Sequence, residues 1–210
     1  MQDGIRDASE IRDTADLREH MGPVSRLAEG KVLPRLDAHA RAFIALSPFL
    51  VAATADAGGR ADASPRGDAP GFVQVLDDAT LLIPDRRGNN RADSFANLLA
   101  APGIGLIFLV PGITETLRVN GTARLTTDRA LLAPLAAQGK VPATGLVVAV
   151  REVFFHCGKA VMRARLWDPA AQVPRDAFPS LGRVLADQTG AIGTAEAERL
   201  MEESYRTRLY

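Results

Sequence analysis

The spacing of apolar positions changes near residue 48. Upstream of it, Leu33, Leu36, His39, Ala40, Phe43 and Ile44 recur at intervals of three and four, which gathers them on one face of a helix. Pro48 ends that stretch, because the residue before a proline is pushed out of the helical region. Downstream the apolar runs are short. "FLVAATA" (49–55) is followed by the turn letters "DAGGR". "GFVQVL" (71–76) alternates apolar and polar, and "DDA" turns it into "TLLIP" (80–84). "IGLIFLV" (104–110) is continuous and predicts a strand buried on both faces. "ETLRVNGTARLT" (115–126) sets Leu117, Val119 and Gly121 against Thr116, Arg118 and Asn120, and "TGLVVAVREVFFHC" (144–157) is the last long strand. Six short strands with few helices between them predict an antiparallel barrel or sandwich. A doubly wound parallel sheet would need a helix after nearly every strand.

Three internal helices are expected. "RADSFANLLAA" puts Phe95, Leu98 and Leu99 on one side and stops at Pro102. "DRALLAPLAAQG" has Asp128 as its cap and Pro134 awkwardly inside it. "CGKAVMRARLW" is short, with Met162, Leu166 and Trp167 as its packing face. The final "TAEAERLMEESYRTRLY" is amphipathic, with Thr194 as N-cap. The chain divides into an N-terminal helical extension packed on the barrel (1–45), the barrel (46–168) and a C-terminal helical segment (169–210).

Composition adds mostly exclusions. Of the 210 residues 47% are hydrophobic and 24% charged, which is ordinary for a globular domain with a proper core. Lys+Arg and Asp+Glu are both 25, so no bulk charge draws the chain to nucleic acid or an anionic membrane. A single cysteine, Cys157, excludes an intramolecular disulfide. The charged N-terminus has no signal-peptide core, and no run approaches the roughly 20 apolar residues that span a bilayer. These features give the expectation of a cytoplasmic protein.

Against that neutral background three polar clusters stand at the ends of the expected strands. The first, Ser64-Pro65-Arg66-Gly67-Asp68, is either a tight surface hairpin set by Pro65 and Gly67 or a pair of side chains, Ser64 and Arg66, that holds an anion. The second, "PDRRGNNRADS" (84–94), leads from a strand into a helix. A helix N-terminus offers free N–H groups and partial positive charge, and here it comes with Arg86, Arg87 and Arg91 and with the amides of Asn89 and Asn90. That suits a phosphate; the other reading is a solvated turn with Asn90 as cap. The third, "HCGKAVMR" (156–163), offers no metal site, because the other two histidines, His20 and His39, fall in the N-terminal helical region without zinc-like spacing. Neighbouring strand residues point to opposite faces, so His156 and Cys157 make no nucleophilic pair; a buried Cys157 and a hydrogen-bonded His156 are expected. No P-loop, GxSxG or GxGxxG fingerprint is present.

In this order "SPRGD…GFVQV", "TLLIPDRRGNNRADSFANLLAAPGIGLIFLVPG", "ETLRVNGTARL" and "HCGKAVMRARLWDP" resemble the pyridoxamine 5'-phosphate oxidase-like family of FMN-binding split barrels, over about residues 32 to 168. The likeness is to a branch named for FMN binding rather than for a substrate. The resemblance implies a mainly β, α+β fold: a six-stranded antiparallel split β-barrel with flanking helices. It also implies a homodimer with FMN at the subunit interface. By motif position it assigns the FMN phosphate to Arg66 with Ser64 beside it, and to Asn90 and Arg91. Thr116 takes the place of a family glutamine that reaches the flavin ring, with Arg118 on the same face. Lys159 and Arg163 come from the other subunit or cover the ring. The segment that holds the substrate's phosphate in authentic pyridoxamine phosphate oxidases has no counterpart here. The resemblance therefore implies an FMN-dependent oxidoreductase acting on a small molecule, with a nicotinamide cofactor as a candidate electron donor. The alternatives are a non-catalytic FMN-binding, storage or sensor protein, or a haem or deazaflavin binder on the same fold, with His156 the residue to suspect for haem.

Overall fold

The computed structural model describes residues 10–210. The described residues divide into two compact units, 10–32 and 33–210. In the first lie two short helices, α1 (Thr14–Met21) and α2 (Arg26–Gly30), with Asp13 and Ser25 as their side-chain N-caps. Residues 1–9 of the expected N-terminal extension lie outside the described residues.

The second unit opens with Leu33, which exchanges backbone hydrogen bonds of 3.0 and 2.8 Å with Val153. Helix α3 (Ala38–Leu46) follows, capped by Asp37, whose carboxylate accepts the N–H of Ala40 at 2.8 Å. Leu36, Ala40, Phe43 and Ile44 are buried as their spacing predicts. Then come β1 (Phe49–Ala55), β2 (Ala61–Gly67), β3 (Gln74–Asp77), β4 (Thr80–Pro84), α4 (Asp93–Ala100), β5 (Gly103–Leu109), β6 (Thr116–Thr126), α5 (Arg129–Leu132), β7 (Gly145–His156) and α6 (Lys159–Ala164). The strands form one antiparallel sheet in the order β2-β1-β5-β6-β7-β4-β3, open between its edges β2 and β3. Beyond it a helical hairpin, α7 (Leu181–Thr189) and α8 (Thr194–Thr207), is closed by Gly182, which lies against the Glu198 backbone.

The expected mainly β fold with flanking helices is what the chain adopts, with seven strands where six were counted. The extra strand is β2, "ADASPRG", which was not counted because its Pro65 and Gly67 left a tight hairpin open beside the anion-holding reading. It pairs along its whole length with β1, from Phe49 opposite Gly67 to Ala55 opposite Ala61. An edge strand tolerates proline because its outward N–H has no ladder partner to lose. The turn lies before it, at 56–60, where Asp56 accepts the N–H groups of Gly58 and Arg60, each at 2.9 Å.

Other departures have local causes. β5 is not buried on both faces: Ile104, Leu106 and Phe108 point into the core, while Ile107 stays 41% exposed on the uncovered face. On α4, Leu98 is buried but Leu99 is exposed, so the packing face is narrower than its letters imply. On α6 the buried residue is Val161; Met162 and Leu166 face out, and Trp167 is anchored by its indole N–H to the carbonyl of Ile113 at 2.8 Å. Pro134 does end α5, which continues only as a 3₁₀ turn. Gly193, not Thr194, occupies the cap position of α8, and Cys157 is exposed.

The core is continuous from α3 through the inner face of the sheet, with Leu50, Leu106, Phe108, Leu117, Val119 and Val148 at its centre. β6 and β7 pair over eleven positions, with a bulge beside Gly121. Among the described residues no helix is long and apolar enough to cross a membrane.

Candidate functional site: an arginine-rich cavity between β2 and the start of α4

Alternation along β2 decides which of its side chains reach the interior. Asp62, Ser64 and Arg66 are half-buried, and Ala63, Pro65 and Gly67 are exposed. The inward three meet the segment 85–95 across a cavity of about 730 Å³. That segment leaves β4 at Pro84, where the N–H of Asp85 is held by the carbonyl of Thr144 at 3.0 Å. It then turns through two left-handed residues, Asn90 at φ 58° and Ala92 at φ 56°. Asparagine accepts that region readily, but alanine does so at a cost, which marks 90–92 as strained backbone.

The strained turn delivers α4 to the cavity with no side-chain cap. Asn90 is therefore not the cap of the solvated-turn reading; Ala92 holds that position. The first N–H groups of α4 have no partner among the described residues, so they present donors and partial positive charge to the cavity. The helix itself is fixed by a buried polar chain. Ser94 donates to Asp62 at 2.5 Å, and Asn97 reaches Thr54 at 3.1 Å.

Arg66 is the central cation. Its Nη1 donates to Asp85 Oδ1 at 2.9 Å, and its guanidinium carbon lies 5.5 Å from the centroid of the Phe95 ring. Its Nε is buried and has no hydrogen-bond partner among the described residues. An unpaired buried N–H costs about 1–3 kcal/mol, so this group lacks an acceptor that the described residues do not supply. Burial pushes the Asp85 carboxyl above its ordinary pKa, outweighing the lowering by Arg66, Thr144 and Arg86.

Arg86 and Arg91 are also paired. Arg91 is exposed and bonds Asp93 at 2.8 Å, which holds its own pKa up. Arg86 donates Nε–H to Asp68 at 2.6 Å, and both side chains are largely buried. Arg87 makes no hydrogen bond or ion pair among the described residues. Four arginines (66, 86, 87, 91) against three aspartates (62, 85, 93) line the cavity, so its wall carries one net positive charge.

The Asp68 carboxylate makes stability depend on pH. Burial pushes its pKa up, but hydrogen bonds from Tyr210, the Ala69 N–H and Arg86 more than offset this, leaving it below the ordinary 3.8. A carboxylate with a lowered folded-state pKa stabilises the fold above its unfolded pKa, and that contribution is lost as pH falls through the lowered value. Asp68→Asn should therefore be less stable than the wild type at pH 7, with the gap in urea midpoint narrowing below about pH 4. A gap that stays constant from pH 7 to pH 3 would show that the Asp68 charge does not contribute.

The structure thus brings Ser64, Arg66, Asn90 and Arg91 to one cavity and leaves the other four expected residues outside it. Thr116 lies opposite His156 in the β6–β7 ladder. Arg118 lies opposite Phe154, donates to Asn120 at 3.2 Å and stacks 5.2 Å above the Phe154 ring. Lys159 and Arg163 are exposed on α6. Sequence reasoning missed Asp62, Asp85 and Ser94 in the cavity; reading 61–67 as a strand would have placed Asp62 in phase with Ser64 and Arg66. Leu209, which also lines the cavity, falls in the ending "ESYRTRLY", which fits the same resemblance more weakly and carried no assigned role. Among the described residues no group of histidine, cysteine and carboxylate side chains is placed to hold a metal.

Comparison with known proteins gives a family match and a set of similar solved structures. A family model for pyridoxamine 5'-phosphate oxidase matches residues 36–157. Similar solved structures include HupZ of Group A Streptococcus, 18% identical over 57% of this chain and 93% of that one, with a TM-score of 0.48. General Stress Protein 26 of Bacillus anthracis is 12% identical over 55% and 88%, with a TM-score of 0.43. An FMN-binding protein of Syntrophomonas wolfei is 12% identical over 56% and 88%, with a TM-score of 0.42. No curated protein matches the chain.

Proposed function

The chain belongs to the pyridoxamine 5'-phosphate oxidase family, and from that premise we propose that it binds FMN and acts as an FMN-dependent oxidoreductase on a small molecule. The observation that carries the reading is the buried, unpartnered Nε of Arg66 at the mouth of an uncapped helix. A phosphate monoester fits this donor set. It supplies acceptor oxygens to Arg66, to the Ser64 hydroxyl and to the open N–H groups of α4, and its charge suits a wall with net positive charge. Asn90 and Arg91 stand at the same turn and complete the cradle.

When bound, the flavin supplies two-electron redox chemistry, and the protein's part is orientation and charge. Ser64 and Arg66 anchor the phosphate end. Thr116, Arg118, Lys159 and Arg163 lie outside this cavity, which accords with a homodimer in which a second copy brings them to the ring end. The uncovered sheet face supports such pairing, since Phe49 and Ile107 remain exposed on neighbouring strands. A reduced nicotinamide cofactor is the proposed electron donor.

A second reading, an FMN carrier or sensor without turnover, has its own observation. Among the described residues no histidine, cysteine, lysine or tyrosine lines the cavity, so it offers few groups for general acid–base work. The haem alternative draws no support from His156, which stands on the sheet beside Phe154, ring centroids 5.0 Å apart, outside the cavity.

Absorption of the purified protein, with mass spectrometry of what acid releases, tests the cofactor. Flavin bands and released FMN are expected. A Soret band, or a colourless protein that also ignores added FMN, would remove the proposal. Bound FMN that no nicotinamide donor reduces, across a broad substrate panel, would favour the carrier.

A further inference from the structure

Arg86 is fixed in the cavity wall by groups from three distant parts of the chain. Asp68, just past β2, is anchored by its N–H to the carbonyl of Pro48 at 3.0 Å, and its side chain is 5% exposed. Its Oδ1 accepts two hydrogen bonds, from the Ala69 N–H at 2.7 Å and from the Tyr210 hydroxyl at 2.8 Å. Its Oδ2 accepts Nε–H of Arg86 at 2.6 Å. The Tyr210 ring lies 6.0 Å from the Arg86 guanidinium carbon, and Lys140 holds the Tyr210 carbonyl at 2.9 Å. The adjoining Leu209 forms part of the cavity wall.

This division of the carboxylate has a consequence for the guanidinium. A free aspartate takes an arginine bidentately, through two parallel N–H bonds, and uses up its fork. Here Tyr210 and Ala69 occupy Oδ1, so Arg86 is held through Nε alone. Its two Nη groups carry no hydrogen bond among the described residues. The guanidinium plane is thus oriented while its outer donors are kept for something else, in a wall that Arg86, at 18% exposed, shares with Arg66.

We propose that Arg86 is a further ligand of the phosphoryl group bound in this cavity, and that Tyr210 is a positioning residue for it, acting through Asp68. The identity of the ligand as FMN rests on the reading above; the phosphoryl chemistry does not. The segment 208–210 then belongs to the anion site, which gives the α7–α8 hairpin that precedes it a route to influence cofactor affinity.

Titrations of FMN, riboflavin and inorganic phosphate against the wild type, Arg86→Gln, Tyr210→Phe and the double variant test this. Arg86→Gln should weaken FMN about tenfold or more and leave riboflavin unchanged, because riboflavin has no phosphate. Tyr210→Phe should weaken FMN by about threefold, less than Arg86→Gln, and should add nothing in the Arg86→Gln background, since its effect passes through that side chain. Arg86→Lys, which keeps the charge and loses the fork, should fall between the wild type and Arg86→Gln and guards against a folding defect. FMN affinity unchanged in Arg86→Gln, or a Tyr210→Phe effect of equal size in both backgrounds, would overturn the inference and leave the flavin reading intact. A wild type that ignores FMN but binds inorganic phosphate, with loss in Arg86→Gln, would remove the flavin reading and keep the inference. Binding of neither by the wild type would end both.

Discussion

Gly121→Ala should destabilise the protein by about 3 kcal/mol, at the upper end of what overpacking a core costs. Gly121 sits at the β6–β7 bulge, where the register passes from Asn120 opposite Glu152 to Gly121 opposite Val150. A Cβ placed there would overlap the carbonyl oxygen of Ala149 and lie 3.0 Å from its carbonyl carbon. Those atoms are backbone of the neighbouring strand, so relief requires moving the longest pairing in the sheet. Gly103→Ala is the control: nothing stands within 4 Å of its added methyl, and its φ is not positive. It should change stability by no more than about 0.5 kcal/mol. Urea unfolding of both variants measures the difference; equal midpoints would show that the bulge yields without cost.

Arg66→Ala should weaken FMN by about 1.5–3 kcal/mol, the range for hydrogen bonds to charged groups. The substitution removes the donor proposed for the phosphate, but it also strands Asp85, whose carboxylate is already hard to ionise through burial. Two effects are therefore mixed in the single variant. Adding Asp85→Asn separates them, because it removes the stranded charge without restoring a cation. The double variant should recover folding stability and keep the loss of FMN affinity. Recovery of FMN affinity in the double variant would mean that the Asp85 charge, not the missing guanidinium, caused the loss.

Much of the sheet was legible because its signals are local. β1 and β4 coincide with their apolar runs, and β6 and β7 fall within one residue of theirs, since each is a compact apolar run bounded by turn letters, whether one face is covered, as along β1, or both, as along β4. β2 was not legible, because proline and glycine punctuate turns far more often than edge strands. That one misreading hid the phase that carries Asp62, Ser64 and Arg66 inward together. In the site, the resemblance picked out Ser64, Arg66, Asn90 and Arg91, which do share a cavity. The carboxylates that partner the arginines were missed, and so was Tyr210, which bonds Asp68 across 142 positions. Such contacts depend on chain topology, and no periodicity or short motif encodes them. The failed packing faces of α4 and α6 have the same origin: Leu99 and Met162 are apolar letters left exposed by the described elements.

The cavity between β2 and α4 is proposed to take the phosphate end of a flavin nucleotide. Parallel calorimetric titration of the protein with FMN and with riboflavin, at low and high salt, tests it most directly. The account predicts FMN binding at least about tenfold tighter than riboflavin, with the gap narrowing as salt screens the exposed Arg91 and Arg87. Equal affinity for the two, or a gap indifferent to salt and to Arg66→Ala, would contradict it.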